Sequence, residues 1–261
     1  MKLNIYVVNA FAETAFGGNP AAVVLLEQWL NDELMLQIAA QHNLAETAFV
    51  IPQGEDFAIR WMTPAVEVKL CGHATLASAH IYFNHLNYEK EKITFHSTSG
   101  PLHVTKLNDQ KLTLDFPADK LKEIKDTAEM EKALNIKPLA VYKSSFDYMV
   151  IANNQSEIEN LAPDLSILRK FPSRGTIVTA KGEEADFVSR FFSPQSGIDE
   201  DPVTGSAHTA MTPYWAGKLG KTRLSAIQLS KRRGYLDCAL AEDRVLIGGS
   251  AITYLEGDIF I

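Results

Sequence analysis

The residues of this chain that could do chemistry lie in three short stretches. Glu46 sits in Asn43-Leu44-Ala45-Glu46-Thr47-Ala48-Phe49, and His73 follows Cys71 and Gly72. Asp201 and Ser206 share Glu200-Asp201-Pro202-Val203-Thr204-Gly205-Ser206-Ala207. Desolvation lifts the pKa of a carboxyl towards neutrality, which suits it to take and return a proton near pH 7. Leu44, Ala45, Ala48 and Phe49 are apolar enough to desolvate Glu46. By type and position alone Glu46 fits a surface glutamate at the start of a strand equally well. In the same way His73 fits a capping or core histidine, and Asp201 an acidic loop residue or cap. Ser206 also fits a first-turn hydroxyl bonded to its own helix. Asn19, in Phe16-Gly17-Gly18-Asn19-Pro20, either orders a loop beside a site or belongs to an ordinary Asn-Pro turn.

Gly72 and Gly205 each open a run of small residues, Gly72-His73-Ala74 and Gly205-Ser206-Ala207. A helix start leaves its first N–H groups unpaired and carries partial positive charge, and glycine lets a ligand approach the backbone. Two such starts facing one another would suit a small carboxylate.

Other chemistries have no motif to rest on. The histidines at 42, 73, 80, 85, 96, 103 and 208 form no recognised metal spacing. There is no phosphate-binding P-loop, and Phe16-Gly17-Gly18-Asn19 lacks the spacing of a dinucleotide-binding loop. No metal and no cofactor are therefore expected. Net charge is −7, which disfavours phosphate backbones and anionic lipid, so neither nucleic acid nor membrane is an expected partner. Lys231-Arg232-Arg233 reads as a solvated turn. No apolar run approaches the roughly 20 residues of a membrane span. Two cysteines, Cys71 and Cys238, make no disulfide framework, and a reduced, cytoplasmic chain is expected.

The elements that must position these residues alternate irregularly. Strands are expected at 3–9, 22–26, 48–51, 57–62, 93–95, 102–106 and 112–116, with turns at Ser99-Gly100 and Asn108-Asp109. Asn31 reads as the cap of a helix that stops at Asn43, and an alanine-rich helix is expected from Gly72 to about Asn84. After Phe116-Pro117-Ala118-Asp119 comes a lysine-rich segment, then a helix over about 128–134. Strands follow at 139–142, 149–152, 177–180 and 187–192, then a helix from near Gly205. Further strands are expected at 224–229, 236–240, 245–247 and 252–261. His80 and His208 fall on helices as polar or core residues, and Met211–Trp215 reads as core.

One pattern ties the elements to the site residues. Arg60-Trp61-Met62-Thr63-Pro64 resembles Arg190-Phe191-Phe192-Ser193-Pro194, half the chain length further on. Each ends in a hydroxyl residue and a proline. Each is followed by a carboxylate-bearing stretch and then by the glycine that opens a helix. Two homologous halves are the simplest account.

Several stretches together resemble the PhzF-like phenazine-biosynthesis family. They are Asn9-Ala10-Phe11 with Phe16-Gly17-Gly18-Asn19-Pro20-Ala21-Ala22-Val23, the Asn43–Phe49 stretch, Leu70-Cys71-Gly72-His73-Ala74-Thr75 and the Glu200–Ala207 stretch. They occur in the family's order along most of the chain. The resemblance implies an α+β, diaminopimelate-epimerase-like fold. In it, two similar domains each wrap a mixed, largely antiparallel sheet around a central helix, with the site between them. It sets the domains at 1–116, with 251–261 returning to the first, and 117–250.

The resemblance further implies a cofactor-independent isomerase that moves a proton on a small, cyclic amino- or hydroxy-carboxylate, with dihydro-hydroxyanthranilate isomerisation as the type reaction. Glu46 would be the acid/base. His73, at a helix start that tends to hold imidazole neutral, and Asp201 would orient substrate. Ser206 and the amides of Gly72 and Gly205 would hold its carboxylate, with Asn19 ordering the loop beside them, and the protein would be a homodimer. Related epimerases use two opposed thiols; Cys71 stands where the first would be, but Asp201-Pro202-Val203-Thr204-Gly205 supplies no second, so Cys71 reads as a packing residue. A racemase or epimerase using Glu46 with Cys71 or His73, and a non-catalytic small-ligand-binding protein, are the rival readings.

Overall fold

The computed structural model describes residues 1–107 and 111–261. The turn expected at Asn108-Asp109 lies outside the described residues. The chain divides into two compact units, 1–115 with 248–261, and 116–247.

In the first unit the strands are β1 (Lys2–Ala10), β2 (Asn19–Leu25), β3 (Glu46–Gln53), β4 (Asp56–Met62), the short β5 (Glu67–Val68), β6 (Lys92–Ser97), β7 (Gly100–Lys106) and β8 (Lys111–Pro117). Helix α1 (Asp32–His42) joins β2 to β3. Helix α2 (Gly72–Asn84) lies in sequence between β5 and β6. β1 runs antiparallel to β2, β2 parallel to β3, β3 antiparallel to β4, β4 parallel to β6, and β6 antiparallel to β7.

Each helix has its local reason. Asn31 caps α1 by accepting from the Leu34 N–H at 2.8 Å, and Asn43 ends it in the left-handed region at φ 51°. The α2 sequence GHATLASAHIYFN is apolar or small on every side, and every residue from Gly72 to Phe83 is buried. A helix without a polar face belongs inside a sheet rather than on it. Its small residues let β1, β2, β3 and β7 pack against it. Its hydroxyls are satisfied within the helix, Thr75 Oγ1 on the Cys71 carbonyl at 2.5 Å and Ser78 Oγ on that of Ala74 at 2.8 Å. Full burial of Leu76 and Ile81 contributes about 1.5–3 kcal/mol each.

The second unit holds β9 (Lys122–Ile124), α3 (Ala128–Leu134), β10 (Ala140–Lys143), β11 (Tyr148–Ile151), α4 (Gln155–Glu159), α5 (Leu165–Leu168), β12 (Thr176–Lys181), β13 (Phe187–Phe192), α6 (His208–Leu219), β14 (Arg223–Gln228) and β15 (Gly234–Ala241). β10 is antiparallel to β11, β11 parallel to β12, β12 antiparallel to β13, β13 parallel to β14, and β14 antiparallel to β15. That is the order and sense of β1, β2, β3, β4, β6 and β7. α6 takes the place of α2 and packs on β14 and β15. A core of Val141, Val150, Val178, Val188 and Phe192 lies against Met130, Ile158 and Leu168.

The fold adds β5, α4 and α5 to the expected elements and departs from expectation elsewhere too. The lysine-rich segment contains β9, which pairs with β10. The helix expected from Gly205 opens with a 3-10 turn, Gly205–Ala207, and becomes α-helical only at His208, because the Ala207 N–H closes on the Thr204 carbonyl at 3.1 Å. The strands expected at 245–247 and 252–261 are one strand, β16 (Arg244–Phe260), whose C-terminal part pairs with β1 from Ala10↔Ala251 to Lys2↔Phe260. Among the described residues no helix is long and apolar enough to cross a membrane.

Candidate active site

In the first unit, Glu46 opens β3 and His73 is the second residue of α2. Glu46 Oε2 lies 3.3 Å from His73 Nε2, with the two side chains only 16% and 6% exposed. The other ring nitrogen, Nδ1, lies 3.3 Å from Asn19 Nδ2 and 3.6 Å from Cys71 Sγ. An amide NH2 can only donate, so Nδ1 accepts from Asn19 and the tautomer with its proton on Nε2, the nitrogen nearer Glu46, is the one that fits. Glu46, His73, Cys71 and Asn19 thus form one cluster, buried but for the partly exposed Glu46.

Local geometry places each member. Gly18 has φ +65°, and a Cβ there would lie 2.3 Å from the Ala10 carbonyl oxygen, so only glycine delivers Asn19, which is fully buried, to the head of β2. Cys71 occupies the cap position of α2 in an extended conformation without a capping side-chain bond, which leaves its thiol for His73. The sequence reading of Cys71 as a packing residue is therefore incomplete, since it is buried and also in contact with the imidazole. One donor atom each from Glu46, Cys71 and His73 lies within 4.8 Å of the others, the set of this kind that could hold a metal among the described residues. His73 turns Nδ1 to the thiol and Nε2 to the carboxylate.

In the second unit, Asp201 and Ser206 lie on the loop leading into α6. Gln228, fully buried, clamps that loop: its Oε1 accepts from the Thr204 N–H at 2.8 Å and its Nε2 donates to the Asp201 carbonyl at 2.7 Å. Thr204 donates its hydroxyl to the Asp201 carboxylate. Arg190 grips the neighbouring Glu200 with both ends of its fork, at 2.7 and 2.8 Å. Arg60 does the same to Glu67 in the first unit, at 2.8 and 2.6 Å, so the duplicated arginine does duplicated work.

Two residues that sequence reasoning missed join Ser206. Arg174 Nη1 donates to Ser206 Oγ at 2.7 Å, and the same guanidinium holds the buried Asp147 at 3.0 and 2.5 Å. Neither lies in a motif. Their signal was the repeat itself, once extended from Arg60 and Arg190 back to the strands beside them.

The duplicated sheet-and-helix unit is that of one class, the diaminopimelate-epimerase-like folds. A hydroxyproline epimerase from Agrobacterium vitis with bound trans-4-hydroxy-L-proline, 8% identical, shares the fold at a TM-score of 0.65 over 99% of this chain and 92% of that one. Within that class the sequence model described as phenazine biosynthesis-like protein matches residues 8–257, and the chain belongs to that family. It is similar to a protein of Pseudomonas aeruginosa named as an uncharacterized isomerase, 48% identical over 259 residues and 99% of both chains. It is also similar to the crystal structure of a PhzF-family protein from Enterococcus faecalis, at 44% identity, a TM-score of 0.97 and full coverage of both chains.

Proposed function

We propose that this chain is a cofactor-independent isomerase in which Glu46 moves a proton on a small, cyclic amino- or hydroxy-carboxylate. The observation that carries the reading is the 3.3 Å contact of the nearly buried Glu46 carboxylate with His73 Nε2. Glu46 takes a proton from one carbon of the substrate, and the electron pair left behind shifts the double bond. The protonated carboxyl then returns the same proton to a second carbon. His73, held by Asn19 in the tautomer that donates from Nε2, orients Glu46 and stabilises it whenever it is charged. Asp201 holds the substrate's amino or hydroxyl group. Ser206, with the backbone amides of Gly72 and Gly205, holds its carboxylate. The family resemblance adds a homodimer to the proposal, and the sparse cysteines add a reduced, cytoplasmic location.

The experiment is turnover of trans-2,3-dihydro-3-hydroxyanthranilate and related cyclic acids in heavy water, followed by NMR. The expected result is double-bond migration. Glu46→Gln is expected to lower the rate by 10²–10⁴-fold, the range of a lost general base. Undiminished turnover by that variant would exclude Glu46 as the proton carrier.

Epimerisation is the second reading, and the contact of Cys71 with His73 is what favours it. Inversion at one carbon without double-bond migration is its signature in the same experiment.

A further inference from the structure

The two units put different chemistry into one architectural position. Arg60 pairs with Phe49 across β3–β4, and Arg190 pairs with Val178 across β12–β13. With the two arginines superposed in register, Thr47 matches Thr176, Glu46 matches Gly175 and Ala45 matches Arg174. The parallel neighbours extend the match, because Ala22 pairs with Thr47 and Tyr148 with Thr176, so Ala21 matches Asp147. At the helix starts Thr75 Oγ1 meets the Cys71 carbonyl and His208 Nδ1 the Thr204 carbonyl, each four residues back, so His73 matches Ser206 and Cys71 matches Thr204.

The first unit therefore holds a carboxylate–imidazole pair, Glu46 and His73, where the second holds a guanidinium–hydroxyl pair, Arg174 and Ser206. Gly175 leaves no side chain in the base's position. The two alanines of the first unit have become Arg174 and the buried Asp147 that anchors it.

We infer that Arg174 is a positioning residue for the substrate carboxylate, acting through the Ser206 hydroxyl. This rests on the proposed function, whose substrate bears that carboxylate. A serine hydroxyl has one proton to donate and two lone pairs. Arg174 Nη1 donates into Ser206 Oγ, which turns the hydroxyl proton outward to an acceptor and polarises it. Asp147 occupies the Nε and Nη2 edge, so its negative charge lies behind the guanidinium and the positive Nη1 end faces Ser206.

Both the backbone and the guanidinium of Arg174 have further contacts. Its N–H donates to the Phe146 carbonyl at 2.8 Å, and its own carbonyl accepts from Ser193 Oγ at 2.5 Å. Its guanidinium carbon lies 5.4 Å from the centre of the Phe191 ring and 5.7 Å from that of Phe146. Such a donor aimed in advance favours an anion over a neutral acceptor of the same shape.

The test is the affinity of a matched pair of probes, 2-aminobenzoate and its neutral amide 2-aminobenzamide, by calorimetry or ligand-observed NMR. The wild-type protein is expected to prefer the acid by about ten- to a hundredfold, the range of one charge-assisted hydrogen bond. Removing Arg174 alone strands the buried Asp147, so the deciding variant is Arg174→Gln with Asp147→Asn. It is expected to lower the affinity for the acid about tenfold or more while leaving the amide where it was, the backbone amides of Gly72 and Gly205 keeping what preference remains. A merely structural role would weaken both probes together. Ser206→Ala is expected to lose the same preference, and adding it to the double variant should cost little more.

An acid preference undiminished in the double variant overturns the inference, as does a wild-type protein that binds both probes alike. The ratio is read without turnover. Undiminished isomerisation by Glu46→Gln would therefore overturn the proposed function and leave this result standing or falling by itself.

Discussion

Glu46 and Gly175 hold the same register position in two copies of one strand arrangement, and only one of them carries a side chain. Duplication at first gives two equal sites, and here the equality is broken at the residue that would do the chemistry. A two-base racemase needs a proton carrier from each copy. Thr204 stands where the second thiol would be and gives its hydroxyl to Asp201, and Gly175 gives no group at all. A single carboxylate facing a held imidazole suits reactions that remove and return a proton with one group.

Gly175 cannot be restored to a side chain at small cost. A Cβ on it would lie 2.3 Å from the Phe191 ring and 2.8 Å from the Phe192 carbonyl oxygen. Overpacking against a ring and a backbone oxygen costs about 1–3 kcal/mol or more. Gly175→Ala is expected to lower the urea midpoint accordingly, with no comparable loss for Gly217→Ala, where a Cβ meets nothing within 4 Å. Pairing Gly175→Ala with Phe191→Leu should recover part of the loss, which tests whether the ring is the obstacle.

The sequence carried this much because local rules set it: the Asn31 and Asn43 caps, the alanine-rich α2, and the repeated Arg–aromatic–hydroxyl–proline strand ends. Glu46, His73 and Asn19 were picked out through the family motifs, while the residues by themselves left each an ordinary alternative and gave no sign of contact between them. Arg174 and Asp147 were not picked out, because the spacing between copies changes along the chain. The arginines, the strand starts and the helix-opening glycines follow different offsets, through insertions that no single shift reveals. The 3-10 opening of α6 and the unbroken β16 were hidden for another reason. Both depend on partners distant in sequence, such as Gln228 on the Asp201 loop and β1 on the last ten residues.

The duplicated arginines predict unequal sensitivities. Arg190 adds two carbonyls to its fork, those of Ile158 at 3.2 Å and Leu161 at 2.7 Å, and its pair is 15% and 25% exposed. Arg60 also reaches Asp32, but that partner is 72% exposed, so the contact is heavily screened. Lysine keeps the charge and loses the fork and the extra donors. Arg190→Lys is expected to cost about 1–3 kcal/mol of stability and Arg60→Lys under about 1, read from urea midpoints. Because Glu200 adjoins Asp201, the first variant should also weaken binding of the carboxylate probes.

Two buried histidines predict an acid limit. Burial pushes the His208 imidazole down to about 4, opposed by its backbone hydrogen bonds at Thr204 and Gly205. Burial, with the nearby His85, pushes His80 down to about 4. Each takes up its proton in the unfolded chain at about 6.5, so the stabilisation is complete above that pH and is lost as pH falls from there towards 4. Each histidine contributes a slope of up to about 1.4 kcal/mol per pH unit inside that window. Urea titrations at a series of pH values should show unfolding coupled to uptake of up to two protons. His208→Asn, which can keep a donor for the Thr204 carbonyl, should remove about half of the slope. An unchanged slope in that variant would place the proton uptake elsewhere.

Cys71 separates the two readings of the site. Its thiol lies 3.6 Å from His73 Nδ1, while the other cysteine, Cys238, is fully buried and pushed up to about 12 by that burial, and so is inert. In the isomerase reading the carboxylate moves the proton and Asn19 already fixes the His73 tautomer. Cys71→Ser is then expected to keep turnover within about tenfold, because it changes one neighbour of an imidazole that keeps its other partner. In an epimerase reading the thiol is itself a proton carrier, and the same variant should lose 10²–10⁴-fold, as a missing acid or base does. Solvent-deuterium incorporation measured alongside distinguishes a lost carrier from a shifted substrate. A lost carrier leaves the label off the carbon while probe binding persists. A displaced His73 would weaken binding and exchange together.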